Sequence, residues 1–175
     1  VTGPKPYDRK HRIKKWIKVA EYLRNMRNYN SLRAVLDGID DSAIARMKAT
    51  QDELATQSAK QKNELTHFIS EENNYAPYKE ALKQKAGEPT IPYLEIHLKD
   101  LIFLENVPNY TKHNHVDLIN WTKREQIYDI ISEIQRFQEK GYNWVRVYQI
   151  QQIIETMPER LSRFELDKLS VEMEP

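Results

Sequence analysis

Cysteine is absent from this 175-residue chain, and glycine occurs only four times. Without cysteine the protein forms no disulfides and no thiolate metal sites, and the lack of disulfides favours a reducing, intracellular compartment. So few glycines argue against an all-β domain, which needs many tight turns. No apolar run approaches the ~18 residues of a membrane span. These absences favour a helical, cytoplasmic protein.

The chain begins with Val1 rather than methionine, and its first residues do not resemble a signal peptide. We therefore expect a piece of a longer protein. The length suits one compact domain, and an apolar content of 39% is enough to build a core.

Charge is unevenly distributed, although the net charge is only +1. Residues 1–33 contain ten Lys or Arg and two Asp or Glu, whereas residues 154–175 contain three basic and six acidic residues. A basic segment of this kind is usually a solvated helix face. It could also bind nucleic acid, lipid head groups or an acidic protein.

Apolar residues recur at three- and four-residue steps through most of the chain, which is the period of an amphipathic α-helix. The first stripe predicts a helix over about residues 9–27 and consists of Ile13, Trp16, Ile17, Ala20, Leu23 and Met26. Further helices are predicted at about residues 31–38, 43–48, 51–71, 77–84, 93–105, 120–141, 144–156 and from 162 onward. The sequence therefore predicts an all-α fold, with no glycine-rich phosphate loop.

Capping and helix-breaking residues mark several helix ends. Ser31 is the predicted cap of the second helix, and Asn120 or Thr122 starts the long helix. Pro158 is expected to end the helix before the last one. The segment Ser162-Arg163-Phe164-Glu165 has the pattern of a capping box and predicts the start of the final helix.

The segment from Tyr93 to Glu105 differs from the other helices, because its apolar residues cover nearly the whole circumference. Such a helix is either buried on all sides or packs with one face and binds a partner with the other. The residues alone leave both interpretations open.

Ordinary catalytic chemistry has no visible site in the sequence. None of the five histidines belongs to a His-Glu-x-x-His pattern, and there is no Gly-x-Ser-x-Gly segment. His113 and His115 with Asp117 have the donor types for a metal, but they fall in a polar loop, and we expect no metal site there. We expect no cofactor and no covalent step.

Seven segments, in their order along the chain, resemble the blocks of Ras-type guanine-nucleotide exchange factors. They occupy residues 24–32 (RNMRNYNSL), 37–48 (with DGI and AIARMK), 74–78 (with NY), 91–103 (with IPYL and HLKDLIF), 118–124 (LINWTKR), 133–138 (EIQRFQ) and 169–175 (LSVEMEP). Each segment is weak by itself, but their shared order identifies the chain as a member of that family.

The resemblance implies a single domain over residues 1–175, which is the larger, C-terminal part of the family's catalytic domain without its N-terminal helices. It implies an irregular helical array with a protruding helical hairpin. The first hairpin helix would include Lys99 to Asn106, the loop would be Val107–Val116, and the second helix would start near Asn120. The partner would be a Ras, Rap or Ral type small GTPase in signal transduction, with no nucleic acid. Membrane proximity would come through the GTPase or through other domains.

In the family the hairpin opens a switch loop of the GTPase beside its Mg²⁺ and phosphate site. By resemblance Ile102 takes the apolar position near Mg²⁺, where it offers the ion no oxygen ligand. The family usually follows with two acidic residues, whereas this chain has Glu105 and Asn106. An ungapped alignment places Asn106 at the carboxylate position, and a one-residue deletion would give that position to Glu105.

The remaining residues implied by the resemblance fall into two groups. The GTPase interface would also contain Asp40, Ser42, Tyr75, Tyr93, Lys99 and Phe103. The structural group would contain Asn30, Arg46, Asn120, Lys123 and Arg124. For the two tyrosines, core packing with a satisfied hydroxyl is the competing interpretation. For Asp40 and Ser42 it is an exposed turn without a partner.

Two other functions stay open at this stage. The first is a helical adaptor that binds the GTPase without exchanging its nucleotide, which the altered residues 105 and 106 would permit. The second is a nucleic-acid or membrane binder that uses the basic residues between Arg9 and Lys18.

Overall fold

The computed structural model describes residues 5–54, 56–84, 87–156 and 161–175, and only the backbone at Asn73. Its elements are α1 Pro6–Asn25, α2 Tyr29–Ile39, α3 Ser42–Ala45, α4 Lys48–Asp52, α5 Thr56–Phe68, a 3-10 turn Glu72–Tyr75, α6 Ala76–Gln84, α7 Leu94–Glu105, β1 Tyr110–His113, β2 Val116–Ile119, α8 Trp121–Arg136, α9 Tyr148–Glu155 and α10 Arg163–Met173. The predicted all-α fold is confirmed. None of the described helices combines the length and apolar character needed to cross a membrane.

The core forms where α1 packs against α2 and α5. Ile13, Ile17 and Ala20 recur along the inner face of α1 and are buried against the apolar face of α2. Trp16 was predicted in the same stripe but is 45% exposed. Arg9, which lies outside the predicted stripe, is buried at the start of the inner face.

Two predicted helix limits in the first half of the chain are wrong. The second helix is capped by Asn28, whose side chain accepts a hydrogen bond from the Ser31 backbone N–H at 3.1 Å, so Ser31 lies inside the first turn. The single helix expected over residues 51–71 is two helices, because α4 ends at Asp52 and α5 begins at Thr56. Both errors arise because several polar residues in a row could each start a helix.

A buried polar cluster connects the end of α10 to α1. The Arg9 guanidinium donates to Thr50 Oγ1 at 2.8 Å and to Glu174 Oε2 at 3.0 Å, and the Thr50 hydroxyl also donates to Glu174 at 2.9 Å. Burial alone would raise the pKa of Glu174, but these donors and the Ala49 N–H hold it below its ordinary value. The predicted capping box of Ser162 and Glu165 is confirmed at the start of α10.

The segment between α7 and α8 is a β-hairpin rather than the expected loop over Val107–Val116. β1 and β2 are antiparallel, with His113 opposite Val116, so only Asn114 and His115 form the turn. Both turn residues have positive φ, 47° and 64°, as a two-residue hairpin turn of this twist requires. We refer to residues 94–136, from α7 to the end of α8, as the hairpin; the β-hairpin of β1 and β2 lies within it.

The helix predicted from Trp144 begins only at Tyr148, because residues 141–147 have no regular structure. Pro158, the predicted end of that helix, lies outside the described residues.

Candidate functional site

The start of α7 is fixed to the core by backbone hydrogen bonds. The Ile91 N–H donates to the Arg27 carbonyl at 2.9 Å, and the Ile91 carbonyl accepts from the Tyr29 N–H at 2.9 Å. Two residues later, the Tyr93 N–H donates to the buried hydroxyl of Tyr78 at 2.9 Å. These bonds set the position from which α7 extends.

The helix α7 has one buried face and one exposed apolar face. Ile96, His97 and Leu104 are buried, whereas the side chains of Ile102 and Phe103 are 61% and 71% exposed. A helix buried on all sides is therefore excluded. Leu98, which is 47% exposed, lies one turn before Ile102, and Glu105 lies one turn after it. We call Leu98, Ile102, Phe103 and Glu105 the wedge face.

The two residues that compete for the family's carboxylate position have different environments. The Asn106 amide Nδ2 donates to the Ile102 carbonyl at 3.0 Å, so this side chain is used to finish its own helix. The Glu105 side chain is exposed, and among the described residues its carboxylate has no hydrogen-bond or ion-pair partner. Of these two residues, Glu105 is the one that presents a free carboxylate beside the exposed Ile102.

Lys123, near the start of α8, forms hydrogen bonds with the end of α7. Its side chain is only 4% exposed, and its ammonium donates to the carbonyls of Glu105 at 3.3 Å and Val107 at 2.6 Å. A third donation goes to Asn109 Oδ1 at 2.9 Å. A cation suits this position because the last carbonyls of a helix carry partial negative charge. These contacts lie within the chain and connect α7 to α8; the structural role of Lys123 stays a prediction.

Asn120 and Arg124 complete the same junction. The Asn120 side chain caps α8 by accepting from the Lys123 N–H at 3.2 Å, and its amide donates to the Pro108 carbonyl at 3.0 Å. The Arg124 guanidinium donates to Asn109 Oδ1 at 3.3 Å. The three predicted structural residues of α8 therefore meet around Asn109, which the sequence analysis did not single out.

A second cluster joins three of the predicted interface residues, Tyr75, Tyr93 and Lys99. The Lys99 ammonium lies 2.9 Å from Glu71 Oε1 and 3.0 Å from Glu95 Oε1. The Tyr75 hydroxyl donates to Glu71 at 2.9 Å, and the Tyr93 hydroxyl donates to Glu95. Both rings are buried, in edge contact with their centroids 6.3 Å apart. The two tyrosines thus show the core packing with satisfied hydroxyls that competed with an interface role.

The charges of this cluster shift its pKa values in the directions that such contacts produce. The hydrogen bond from Lys99 lowers the pKa of Glu71, and the hydrogen bond from Tyr93 lowers the pKa of Glu95. The bond to Glu71 raises the pKa of Lys99. Burial is the main cause that raises the pKa of Tyr93. Lys99 is therefore a cation already neutralised by two carboxylates.

The other predicted residues lie around α2 and α3. Asp40 is paired with Lys62 of α5, and the Ser42 hydroxyl accepts from Arg163 of α10. The turn is exposed, but both side chains have partners within the chain. The Arg46 guanidinium donates to the Glu174 carbonyl at 2.7 Å and to Ser170 Oγ at 3.2 Å, so it contacts the C-terminal part of the chain.

Asn30 is exposed on α2, and its side chain forms no hydrogen bond among the described residues. The structural role that the resemblance implies for Asn30 therefore stays a prediction, without a side-chain hydrogen bond in this part of the chain to support it. Likewise, nowhere in the described ranges do three or more His, Asp or Glu side chains converge as a metal site would require.

The comparisons with known proteins agree with this architecture. The RasGEF domain family matches residues 1–125, which include α7 and the β-hairpin. Ras guanine nucleotide exchange factor A of Dictyostelium discoideum is 35% identical over 163 residues, covering 91% of this chain and 27% of that protein. Ras guanine nucleotide exchange factor I of the same organism is 36% identical over 177 residues, covering 100% of this chain and 21% of that protein.

A human relative shows the same pattern. Ras guanyl-releasing protein 3 of Homo sapiens is 34% identical over 144 residues, which is 82% of this chain and 20% of that protein. The chain thus spans about a quarter or less of the length of these relatives. Because the family match covers well over half of the chain, including α7, the β-hairpin and the start of α8, the chain belongs to the RasGEF family.

Proposed function

We propose that this chain catalyses guanine-nucleotide exchange on a Ras-family small GTPase by inserting the wedge face of α7 beside the bound nucleotide. The observation that carries the proposal is the exposed Ile102 on a helix whose end is clamped by the buried Lys123. A wedge needs an exposed apolar face that does not pack against the core of its own protein. The hydrogen bonds of Lys123 hold the end of α7 in a position where Ile102 stays exposed. Membership of the RasGEF family supplies the class of partner.

Exchange in this scheme needs no covalent step. A GTPase holds its nucleotide through Mg²⁺, backbone N–H groups and a lysine. A catalyst accelerates release by stabilising the nucleotide-free GTPase more than the nucleotide-bound form. Ile102 would occupy space near the ion without offering an oxygen ligand, which disfavours Mg²⁺ there. Nucleotide rebinding then displaces the exchange factor.

We assign the carboxylate role to Glu105. Its free, exposed side chain can accept hydrogen bonds from the groups that held phosphate, whereas the Asn106 amide is used within α7. A carboxylate forms stronger hydrogen bonds to cationic donors than an amide does. Glu105→Gln should therefore slow exchange by about tenfold, and Asn106→Ala should slow it less.

The decisive experiment follows the release of a fluorescent GDP analogue from Ras, Rap and Ral type GTPases in excess GTP. Acceleration with one of them would establish the activity and name the substrate. Ile102→Asp should lower the accelerated rate by about 100-fold, because it adds a charge to the apolar contact. Val171→Asp is the matched control, since Val171 is also exposed but lies on α10.

Two results would count against the proposal. If Ile102→Asp were as active as the unchanged protein, α7 would not be the wedge. Binding to the nucleotide-free GTPase without accelerated release would instead favour the adaptor function. In that case, replacing Asn106 by Glu would test whether the missing second acid is the cause.

A further inference from the structure

The outward face of α1 carries cations that the fold does not use. Arg9 is buried with Glu174, and Lys10 is paired with Glu53 at 2.8 Å. The Arg24 guanidinium lies over the Phe68 ring, 4.4 Å from its centroid. The other four cations of α1, with Lys5 just before it, have no carboxylate within ion-pair distance among the described residues: Lys5, Arg12, Lys14, Lys15 and Lys18. All five side chains are exposed. We call them the cationic face.

The arrangement of these residues follows from the helix period. Ile13, Ile17 and Ala20 hold α1 on the core, so the residues half a turn away point outward. One outward row runs Tyr7, His11, Lys14, Lys18 and Tyr22, at steps of three or four residues. Its length is about 22 Å at 1.5 Å per residue. The terminal tyrosines are 57% and 66% exposed, so aromatic rings flank the row at both ends.

From this face we infer a membrane-docking surface: α1 lies flat against an anionic lipid bilayer and binds it electrostatically. Clusters of Lys and Arg are attracted to the negative potential of acidic lipids. Tyrosine is favoured at the boundary between head groups and hydrocarbon, because one end of its ring is polar and the other apolar. The acidic residues of α1, Asp8 and Glu21, lie outside the stretch from Arg12 to Lys18, which contains four of the five cations.

A lipid surface suits this face better than a nucleic acid does. Four of the five cations are lysines, which act as hydrated point charges, whereas bidentate phosphate recognition favours arginine. The face is the convex side of a helix whose other side is packed on the core, so it matches a plane more readily than a groove. The apolar residues Ile13, Ile17 and Ala20 of α1 are already buried against the core, so the proposed binding rests on charge rather than on insertion of that side.

The test measures sedimentation of the intact protein with vesicles of phosphatidylcholine containing 30% phosphatidylserine. We expect binding that disappears on pure phosphatidylcholine and that weakens at least about tenfold between 0.05 and 0.5 M salt. The combined change Lys14→Gln, Lys15→Gln, Lys18→Gln should weaken binding by about tenfold or more. The matched control, Lys48→Gln, Lys83→Gln, Lys140→Gln, removes the same charge elsewhere and should bind like the unchanged protein.

Other outcomes would overturn the inference. The first is equal binding to vesicles with and without phosphatidylserine. The second is an equal loss of vesicle binding in the two triple variants. The third is tight binding to a DNA duplex of 30 base pairs without any binding to vesicles. The comparison of vesicle types and salt needs no variant, so the test stands even if the α1 variant does not fold. Exchange on a soluble GTPase should be unchanged by the α1 variant, which separates this surface from the proposed exchange function.

Discussion

The core around α1, α2 and α5 and the hairpin use apolar residues in opposite ways. In the part of the chain that the structure describes, every buried apolar side chain lies between Ile13 and Leu104. After Leu104 the large apolar residues are exposed or half-buried, and Ile119 and Trp121 in the hairpin are more than 60% exposed. The difference indicates that apolar packing stabilises the core, whereas the part of the hairpin after Leu104 is positioned mainly by polar contacts and leaves its apolar side chains exposed.

The comparison can be tested most strongly by deleting matched apolar groups in both regions. Leu32 is fully buried in the core, so Leu32→Ala should lower the free energy of unfolding by about 3 kcal/mol. Ile102 is 61% exposed, so Ile102→Ala should change the free energy of unfolding by less than about 0.5 kcal/mol. Urea denaturation of both variants measures the two values, and equal losses would remove the distinction.

Replacing Lys123, in the polar junction between α7 and α8, should lower both the stability of the protein and its rate of nucleotide exchange. Lys123→Met leaves three acceptors at the end of α7 without their buried ammonium and should lower the free energy of unfolding by about 2 kcal/mol. Because the junction orients the wedge face, exchange should also fall by about tenfold. Lys140→Met, at an exposed position after α8, is the control. A Lys123→Met variant that exchanges nucleotide at the unchanged rate would show that the junction does not orient the wedge.

Two helix caps, one inside the hairpin and one outside it, allow a comparison of smaller effects. Asn120→Ala and Ser162→Ala each remove a side-chain cap and should each lower the free energy of unfolding by about 1 kcal/mol. Only Asn120→Ala should slow exchange, since only Asn120 belongs to the hairpin. Measuring both stability and exchange for the pair would reveal whether the site depends on the hairpin or on stability in general.

The smallest expected effect concerns pH. Burial between α7 and α8 lowers the pKa of His97, although Glu133 and Asp100 act in the opposite direction and Lys79 adds to the lowering. Below the ordinary histidine pKa of about 6.5 the unfolded chain therefore takes up a proton before the folded protein does. Stability should fall as pH drops through that value, until the folded protein is protonated as well.

Replacing His97 with Phe should flatten this part of the stability profile, which chemical denaturation at pH 7.5 and 5.5 would measure. If the His97→Phe variant lost as much stability between pH 7.5 and 5.5 as the unchanged protein, other groups would be responsible for the pH dependence.

Features set by neighbouring residues were predictable from the sequence. The capping box at Ser162 and the start of α8 after Asn120 are local patterns, and the structure contains both. The start of α2 was misplaced because Asn28 and Ser31 are both good caps. The β-hairpin was missed because its four-residue strands are short and its turn contains no glycine.

Contacts between distant segments were not predictable. Arg9 and Lys123 look like ordinary surface cations in sequence, and each is buried because a partner arrives from elsewhere in the chain. Tyr75 and Tyr93 fitted two roles equally well in the sequence, and only the tertiary structure shows that both rings are buried; their interface role stays a prediction. Burial depends on which surfaces meet, and the order of residues along one helix does not specify this.

The sequence by itself determined that the chain is helical, where several helices start, and that its segments belong together in the RasGEF family. These properties depend on residues within a few positions of one another or on the linear order of segments. Only the tertiary structure decided that α7 exposes Ile102, that Glu105 rather than Asn106 has a free side chain, and that the cationic face of α1 and Lys5 has no ion-pair partners among the described residues. Each of these follows from which side of a helix the rest of the fold covers.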